Sequence, residues 1–223
     1  MVLNIAMDGP VGAGKSSIAQ AVADRLGILH LDTGAMYRAV GLSAIRAGVD
    51  LQDEKAVTAH VRRISVDVAH TEGGQRTIVG GEDVTGLLRT PEVSMAASTV
   101  ARYQGVRREM VNIQQKLAAQ TPMLVDGRDI CVRVLPNAPV KIFLTASAEE
   151  RARRRWLEMQ AKGDPTPYED VLRDLRARDE QDMNRAVDPL RPAEDAVIVD
   201  TTEMTFEQVV AHILSIVEEK THE

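Results

Sequence analysis

The sequence predicts an α/β fold in which helices cover both faces of a five-stranded parallel sheet. Five short apolar runs are separated mostly by segments in which apolar residues recur at helical spacing. This alternation is typical of parallel sheets, because each parallel neighbour is reached through a helical crossover. The 223 residues suffice for one domain, residues 1–223, and are too few for two ordinary domains.

The first strand and the first helix enclose a phosphate-binding loop. Residues 3–7 form a short apolar strand, and apolar residues return at helical spacing from Ile18 to Leu26. Between them, residues 9–16 match the G-x-x-x-x-G-K-[ST] motif of P-loop proteins at every required position. A helix start presents unpaired N–H groups and partial positive charge, so this context predicts phosphate binding.

This loop predicts the residues of an ATP site. Lys15 is expected to be exposed, to reach the β- and γ-phosphates and to act in catalysis. Ser16 is expected to bind Mg²⁺ together with phosphates and waters, so ATP and Mg²⁺ are the predicted cofactors. A chance glycine-rich turn is the alternative. The residues expected at the ATP phosphates are Gly9, Pro10, Val11, Gly12, Ala13, Gly14, Lys15, Ser16 and Ser17.

The second and third strands each lead into polar residues. Residues 28–31 form the second strand and precede a polar turn and helix at 32–38. Residues 123–125 form the third strand and precede Asp-Gly-Arg-Asp at 126–129. Ligands of parallel sheets bind outside the carboxyl ends of the strands, so both polar turns are expected beside the phosphate loop. Helix capping in the first turn and a surface ion pair in the second are the alternatives.

A different pattern separates these two strands. From Ile64 to Val84, apolar and polar residues alternate and two Gly-Gly pairs divide the runs, which predicts a small antiparallel sheet inserted into the chain. From Val93 to Leu117 the periodicity is helical, and Gly105 is expected to divide this stretch into two helices.

The C-terminal part predicts two more strands and an arginine-rich helix. Residues 140–144 and 196–200 read as the fourth and fifth strands. Four arginines lie between positions 151 and 155, ahead of helix breakers at 162–167. Arginine binds phosphate oxygens bidentately, which favours a mobile lid; a solvated basic face paired with glutamates is the alternative.

Composition narrows the classes of partner and compartment. A net charge of −6 and only six aromatic residues (one Trp, three Tyr and two Phe) argue against a nucleic-acid or anionic membrane surface. The single cysteine, Cys131, allows no intrachain disulfide and fits a reducing compartment. The first apolar run is too short for a signal peptide or a membrane span. We expect a cytoplasmic monomer with no nucleic-acid or membrane partner.

Five sequence blocks carry a resemblance to a known family. In this order they resemble the bacterial cytidylate kinases, a family of the nucleoside monophosphate kinase group, and they span most of the chain. The resemblance implies transfer of the γ-phosphoryl group of ATP to CMP or dCMP, giving CDP or dCDP plus ADP. It also implies a P-loop NTPase-type three-layer fold with a short lid at 151–168 and an inserted monophosphate-binding lobe at 61–98. The blocks are residues 8–15, 31–38, 89–94, 126–129 and 184–186.

The resemblance also implies residue roles. Ser98, Arg107 and Asp129 would contact cytosine, whose amino group donates to a carboxylate and whose ring nitrogen and carbonyl accept from arginine. Arg154 or Arg155 would meet the transferred phosphoryl group. The other residues implied at the CMP site are Thr33, Tyr37, Arg38 and Arg128 near the monophosphate, and Arg178, Asp182 and Arg185 at the acceptor's sugar and phosphate.

The sequence departs from the family pattern at one place, and two other functions are alternatives to the one that the resemblance implies. Cys131-Val132 stands where the family usually has Gly-Thr, which predicts a different backbone path after Asp129. One rival is a kinase of the same fold with another small acceptor, against which Asp129 and the insertion argue. The other is a GTPase-like switch, against which the missing Asn-Lys-x-Asp signature argues.

Overall fold

The computed structural model describes residues 2–222 and contains a five-stranded and a three-stranded sheet. The five-stranded sheet is parallel, in the order β2-β6-β1-β7-β8, as the sequence predicts. The strands are β1 (Asn4–Asp8), β2 (Leu29–Asp32), β3 (Val66–Thr71), β4 (Gly74–Val79), β5 (Glu82–Asp83), β6 (Met123–Gly127), β7 (Val140–Thr145) and β8 (Val197–Asp200).

Eight α-helices connect and cover the strands within the described residues. They are α1 (Lys15–Leu26), α2 (Thr33–Arg46), α3 (Glu54–Val61), α4 (Pro91–Val100), α5 (Gln104–Gln120), α6 (Ala148–Ala161), α7 (Tyr168–Asn184) and α8 (Phe206–His222). A 3₁₀ turn at Thr85–Leu87 and a π-helical turn at Ile130–Val134 complete the regular structure. Within residues 2–222, no helix combines the length and hydropathy needed to cross a membrane.

Two hydrophobic cores flank the parallel sheet and make the fold three-layered. Successive residues of β1 point to opposite faces, so Ala6 joins one core while Ile5 and Met7 join the other. The first core includes buried residues of α2, α4 and α5, and the second includes those of α1 and α8. The sheet is therefore covered on both faces, and its carboxyl edge is the open side for ligands.

The predicted antiparallel insertion is confirmed. Strands β3 and β4 pair antiparallel, and β5 continues the sheet beside β4. The small sheet is tied to the end of β2, because Gln75 Oε1 accepts a 2.7 Å hydrogen bond from the backbone N–H of Asp32. His70 Nε2 makes a second tie, 2.7 Å from the backbone oxygen of His30.

The predicted division of residues 93–117 into two helices is confirmed, but the position of the break at Gly105 was wrong. The break lies at residues 101–103, and Gly105 is the second residue of α5. A Cβ atom at Gly105 would lie 2.3 Å from Thr58 Cγ2, so glycine serves close packing of α5 against α3. The sequence reasoning had also given no role to the segment that forms α3.

The turn after β6 is anchored to the end of β1. The backbone N–H groups of Ile130 and Cys131 donate to the two oxygens of Asp8, at 2.8 and 2.9 Å. Burial raises the pKa of Asp8 to about 6, even though these two bonds favour the carboxylate. Cys131 is 2% exposed and burial raises the pKa of its thiol, so this side chain is a small residue of the core. The anchor holds Asp129 beside the first residue of the phosphate loop.

Candidate active site

The phosphate loop follows β1 and leads into α1, as its motif predicts. Gly9 approaches β7 closely, since a Cβ atom there would lie 2.0 Å from the backbone oxygen of Leu144. Gly14 caps α1 with φ 79°, a left-handed conformation that glycine adopts without steric cost. Of the remaining loop residues, Ala13 is buried, and Ser17 is exposed in the first turn of α1. The loop therefore opens toward the carboxyl edge of the sheet.

Lys15 is buried, which corrects the expectation that it is exposed. Its side chain folds back over the loop, and Nζ donates a 2.7 Å hydrogen bond to the backbone oxygen of Pro10. Burial, reinforced by the positive charge of Arg128, lowers the pKa of Lys15 to about 7. An anion bound beside Lys15 would favour the charged form of the lysine and raise its pKa again.

Ser16 lies against an acid that the sequence reasoning did not select. Its hydroxyl donates a 3.1 Å hydrogen bond to Asp126 Oδ2 at the end of β6. Asp126 Oδ1 lies 2.7 Å from His30 Nε2. Burial raises the pKa of Asp126, but the hydrogen bonds from His30 and Ser16 and the positive charges of His30 and Lys15 together lower it overall. The signal for Asp126 in the sequence is its position directly after the third predicted strand, residues 123–125.

The end of β2 performs two local tasks. Asp32 caps α2 by accepting a 2.9 Å hydrogen bond from the backbone N–H of Ala35, so the helix-capping alternative is correct for this residue. Thr33 donates its hydroxyl proton to the backbone oxygen of Asp126 at 2.7 Å, which ties β2 to β6. Arg38 lies one turn further, with Nη1 3.7 Å from Asp32 Oδ2.

Arginines from separate elements converge in front of the loop. Arg128 Nε donates a 2.9 Å hydrogen bond to Asp182 of α7, so it is paired within the site. Arg178 Nη2 lies 3.4 Å from the hydroxyl oxygen of Ser98. Burial and the charges of Arg128 and Arg155 lower the pKa of Arg178. Concentrated positive charge of this kind favours binding of an anion.

A second cluster surrounds Arg107. Its side chain is 4% exposed, and its Nη2 donates to Asp129. Its guanidinium carbon lies 5.7 Å from the centre of the Tyr37 ring, within cation–π range, and burial raises the pKa of Tyr37 to about 12. Arg185 Nη2 is buried, lies 3.7 Å from Asp129 Oδ1 and has no hydrogen-bond partner within residues 2–222.

The arginines of α6 lie in different environments. Arg153 is 57% exposed and pairs with Glu150, as on a solvated basic face. Arg151 is buried and donates to the backbone oxygen of Val11 at 2.8 Å and to Asp179 at 2.7 Å. It therefore joins the phosphate loop to α7 and belongs to the rigid base of the α6–α7 pair.

Arg154 and Arg155 point to different parts of the site. Arg154 Nη2 donates to the backbone oxygen of Thr201 at 2.6 Å, on the β8 side. Arg155 is exposed, and its charge lowers the pKa of Arg178 on α7. A cleft of about 640 Å³ lies beside Arg154, between the start of α6 and the loop after β8. Its lining includes Ser147 before α6 and Thr205 in the loop after β8.

The sequence and the fold both resemble those of known kinases. The family model described as Cytidylate kinase matches residues 5–219. A cytidylate kinase from Bacillus licheniformis is 48% identical over 219 residues, covering 98% of this chain and 97% of the relative. One from Caldicellulosiruptor bescii is 46% identical over 214 residues, covering 96% and 95%.

Among solved structures, a shikimate kinase from Bacteroides thetaiotaomicron aligns over 100% of both chains, with a TM-score of 0.51 and 12% identity. That likeness concerns the fold alone. The family match extends over nearly the whole chain and includes both the phosphate loop and the arginine clusters. The chain therefore belongs to the cytidylate kinase family and is a nucleoside monophosphate phosphotransferase.

Proposed function

We propose that this chain transfers the γ-phosphoryl group of ATP to CMP or dCMP across the carboxyl edge of its parallel sheet. The observation that carries the proposal is the gathering of Arg128, paired with Asp182, and Arg178, beside Ser98, with the charge of Arg128 acting on Lys15 of the phosphate loop. Phosphoryl transfer needs positioning and charge stabilisation more than covalent help from the protein. Two phosphate-binding regions facing each other meet that need.

The donor side would hold ATP. The loop N–H groups at the start of α1 would bind its phosphates, and Lys15 would leave Pro10 to contact the β- and γ-phosphates. The cleft of about 640 Å³ beside Arg154 has room for the nucleoside. Arg154 lines this cleft and is held by its hydrogen bond to the backbone oxygen of Thr201, so it would contribute to donor binding.

The oxygens beside the loop fit Mg²⁺. Ser16 and Asp126 offer a hydroxyl and a carboxylate 3.1 Å apart, and Mg²⁺ prefers oxygen ligands. Mg²⁺ usually takes one or two protein ligands and completes its shell with phosphates and waters, so a site with these two residues is sufficient. When bound, it would neutralise charge on the β- and γ-phosphates.

The transferred group would be stabilised by Lys15 from one side and Arg155 from the other. Between the two candidates on α6, Arg155 is the better choice because its charge already acts on Arg178. The lid predicted at 151–168 would move mainly at its tip, residues 162–167. Its base is packed by Ala152, Val171 and Leu175, each at most 4% exposed.

On the acceptor side, one group of residues would bind the monophosphate of CMP and a second group would recognise its base. Arg38, Arg128 and Arg178 would bind the monophosphate. Asp129 would accept a hydrogen bond from the cytosine amino group, with Arg107 and Ser98 serving the other polar atoms of the base. The further residues in this proposed site are Thr33, Tyr37, Asp182 and Arg185.

A coupled assay of ADP release with CMP, UMP, AMP and GMP tests the proposal. We expect CMP to be phosphorylated far faster than AMP or GMP, since a site built to hydrogen-bond one base discriminates by roughly 10⁴-fold. Equal rates with AMP would refute the cytosine assignment, and phosphorylation of a metabolite hydroxyl instead would refute the acceptor class.

Compartment and assembly complete the proposal. We propose a cytoplasmic monomer acting on small-molecule substrates and not on nucleic acid. The reduced, buried Cys131 and the net charge of −6 support this assignment. Light scattering of the purified protein tests the monomer, and a mass twice that of the 24.4 kDa chain would refute it.

A further inference from the structure

Asp188 lies in the segment between α7 and β8 and contacts three arginines from different parts of the chain. Its Oδ2 accepts a 2.9 Å hydrogen bond from Arg107 Nε, and its Oδ1 accepts one from Arg133 Nε. Its backbone oxygen accepts a hydrogen bond from Arg185 Nε. The Asp188 side chain is 10% exposed, so these contacts are largely shielded from water. One acidic residue therefore links the end of α7, the start of α5 and the turn after β6.

The backbone at Asp188 is held in an uncommon conformation. With φ 48°, it is the only residue other than glycine within 2–222 that has a positive φ. Aspartate and asparagine enter this region more readily than other residues with a Cβ, but strained backbone persists only where surrounding contacts hold it. The three arginine contacts supply that restraint and fix the carboxylate against Arg107.

The contact with Asp188 helps to fix the orientation of the Arg107 guanidinium, as its N–H donors show. A guanidinium has five N–H donors. In Arg107, Nε donates to Asp188, Nη1 to the backbone oxygen of Ala101 at 3.2 Å, and Nη2 to Asp129. Three directions are thus fixed, and the Tyr37 ring lies 5.7 Å from the guanidinium carbon. The plane of the guanidinium is set, and two N–H donors remain for a base.

We propose that Asp188 is a positioning residue for base selection: it holds Arg107 Nε and thereby sets the plane in which Arg107 and Asp129 meet the pyrimidine. The proposal rests on the proposed function, since it requires a base beside Arg107. Asp188 itself would not touch the substrate. Burial raises the pKa of Asp188, but hydrogen bonds from Arg107 and Arg133 lower it overall, so the carboxylate is charged at neutral pH.

Two substitutions separate the carboxylate from the backbone. Both glycine and asparagine tolerate a positive φ, so Asp188→Gly removes the side chain without adding strain, while Asp188→Asn keeps an acceptor oxygen in place. With saturating ATP, we expect Asp188→Gly to raise the KM for CMP about tenfold and to reduce the ratio of CMP to UMP efficiencies about tenfold, equivalent to about 1.4 kcal/mol. The KM for ATP should stay within about twofold, and Asp188→Asn should recover most of the loss.

Two further variants provide controls. Asp195→Asn breaks a 2.7 Å ion pair with Lys141 near the amino ends of β7 and β8, and should leave the CMP to UMP ratio unchanged. Arg133→Gln removes a partner of Asp188 whose side chain is 59% exposed. It should reduce the ratio of CMP to UMP efficiencies by about threefold or less. If Asp188→Gly does not fold by circular dichroism, Asp188→His carries the test through the same ratio, because histidine also enters the positive-φ region but has no carboxylate to accept from both Arg107 and Arg133. An unchanged ratio of CMP to UMP efficiencies in that variant overturns the role of Asp188.

The outcomes distinguish this proposal from the proposed function. A wild-type protein that prefers CMP, together with an Asp188→Gly variant whose CMP to UMP ratio is unchanged, overturns only the role of Asp188. Equal increases in the KM for CMP and for ATP also overturn it, because they indicate a general structural defect. A wild-type protein without preference for CMP over UMP, AMP and GMP overturns both proposals.

Discussion

The two sides of the proposed active site differ in how they are constructed. The proposed donor side is one continuous stretch, residues 9–17, whose glycines and helix start would present backbone groups to phosphate. The proposed acceptor side is assembled from side chains of α2, α4, α5, α7 and the turn after β6, held by ion pairs such as Arg128–Asp182 and Arg107–Asp129. A backbone site is determined by local sequence, whereas a side-chain site depends on how distant elements pack.

The two sides also differ in how charge is held before substrate binds. On the donor side, one lysine is buried with a lowered pKa and is poised to accept an anion. On the acceptor side, several arginines share two carboxylates, Asp129 and Asp188, so the removal of one residue leaves others in place. Loss of Lys15 should therefore have a larger effect than loss of any single residue on the acceptor side.

The largest effect should come from Lys15→Met, which removes the charge and keeps most of the side-chain volume. We expect kcat/KM to fall by roughly 10³-fold, because the lysine stabilises charge on the transferred group in a site shielded from water. Steady-state kinetics with ATP and CMP measures the loss. A variant that keeps a tenth of the wild-type activity would show that the loop backbone suffices.

The second effect compares neighbouring arginines on α6. Arg155→Gln should lower kcat by about 10²-fold, since Arg155 acts on the acceptor side near Arg178. Arg154→Gln should mainly raise the KM for ATP, by about tenfold or less, because Arg154 faces the cleft beside Thr201. Parallel kinetics on both variants tests the division, and reversed effects would exchange the two roles.

The third effect concerns base reading. Asp129→Asn keeps the shape of the side chain but replaces one carboxylate acceptor by an amide donor, which opposes the amino group of cytosine. We expect the preference for CMP over UMP to fall by roughly 10- to 100-fold, while the KM for ATP changes little. An unchanged ratio of CMP to UMP efficiencies would remove Asp129 from base recognition.

The smallest effect is one on stability, with a defined pH dependence. The pKa of Lys15 is lowered to about 7 from 10.5, so the folded, nucleotide-free protein binds fewer protons than the unfolded chain between these values. The free energy of unfolding therefore gains from this group as pH rises through that interval, and the cost of burying the charged lysine is complete below pH 7.

Lys15→Met removes this cost. Its melting temperature should exceed that of the wild type at pH 6.5 by about 2–4 °C for each kcal/mol relieved, and the difference should shrink at pH 9.5. Thermal unfolding followed by circular dichroism, without nucleotide, measures both values. An equal difference at the two pH values would mean that the lysine is not charged at a cost in the folded state.

The fold could be predicted from the sequence because its signals are local. The apolar runs that become β1, β2, β6, β7 and β8 are each bounded by polar residues, and the helices between them have clear periodicity. The error at Gly105 arose because a glycine in a helical stretch was taken as a breaker. Its reason for being glycine is the approach of Thr58, which lies 47 residues earlier and is not visible in a local pattern.

In the candidate site, too, features set by local sequence could be predicted, whereas features set by contacts between distant residues could not. The phosphate loop could be predicted from its motif, while the burial of Lys15 could not, because it depends on how the side chain folds onto Pro10. The acceptor residues came from a family resemblance and stay predictions as to role. Asp126 had a recognisable signal at a strand end, but Asp188 had none, since its partners lie 81 and 55 residues away in sequence.

The central claim is that donor and acceptor binding are separable, and isothermal titration calorimetry of two variants tests it most directly. ATP with Mg²⁺ and CMP would each be titrated into Lys15→Met and Asp129→Asn. We expect Lys15→Met to weaken ATP binding at least tenfold and to leave CMP affinity within about threefold, while Asp129→Asn does the reverse. If either variant weakens both ligands equally, the two sides form one coupled site, and separate binding of donor and acceptor is refuted.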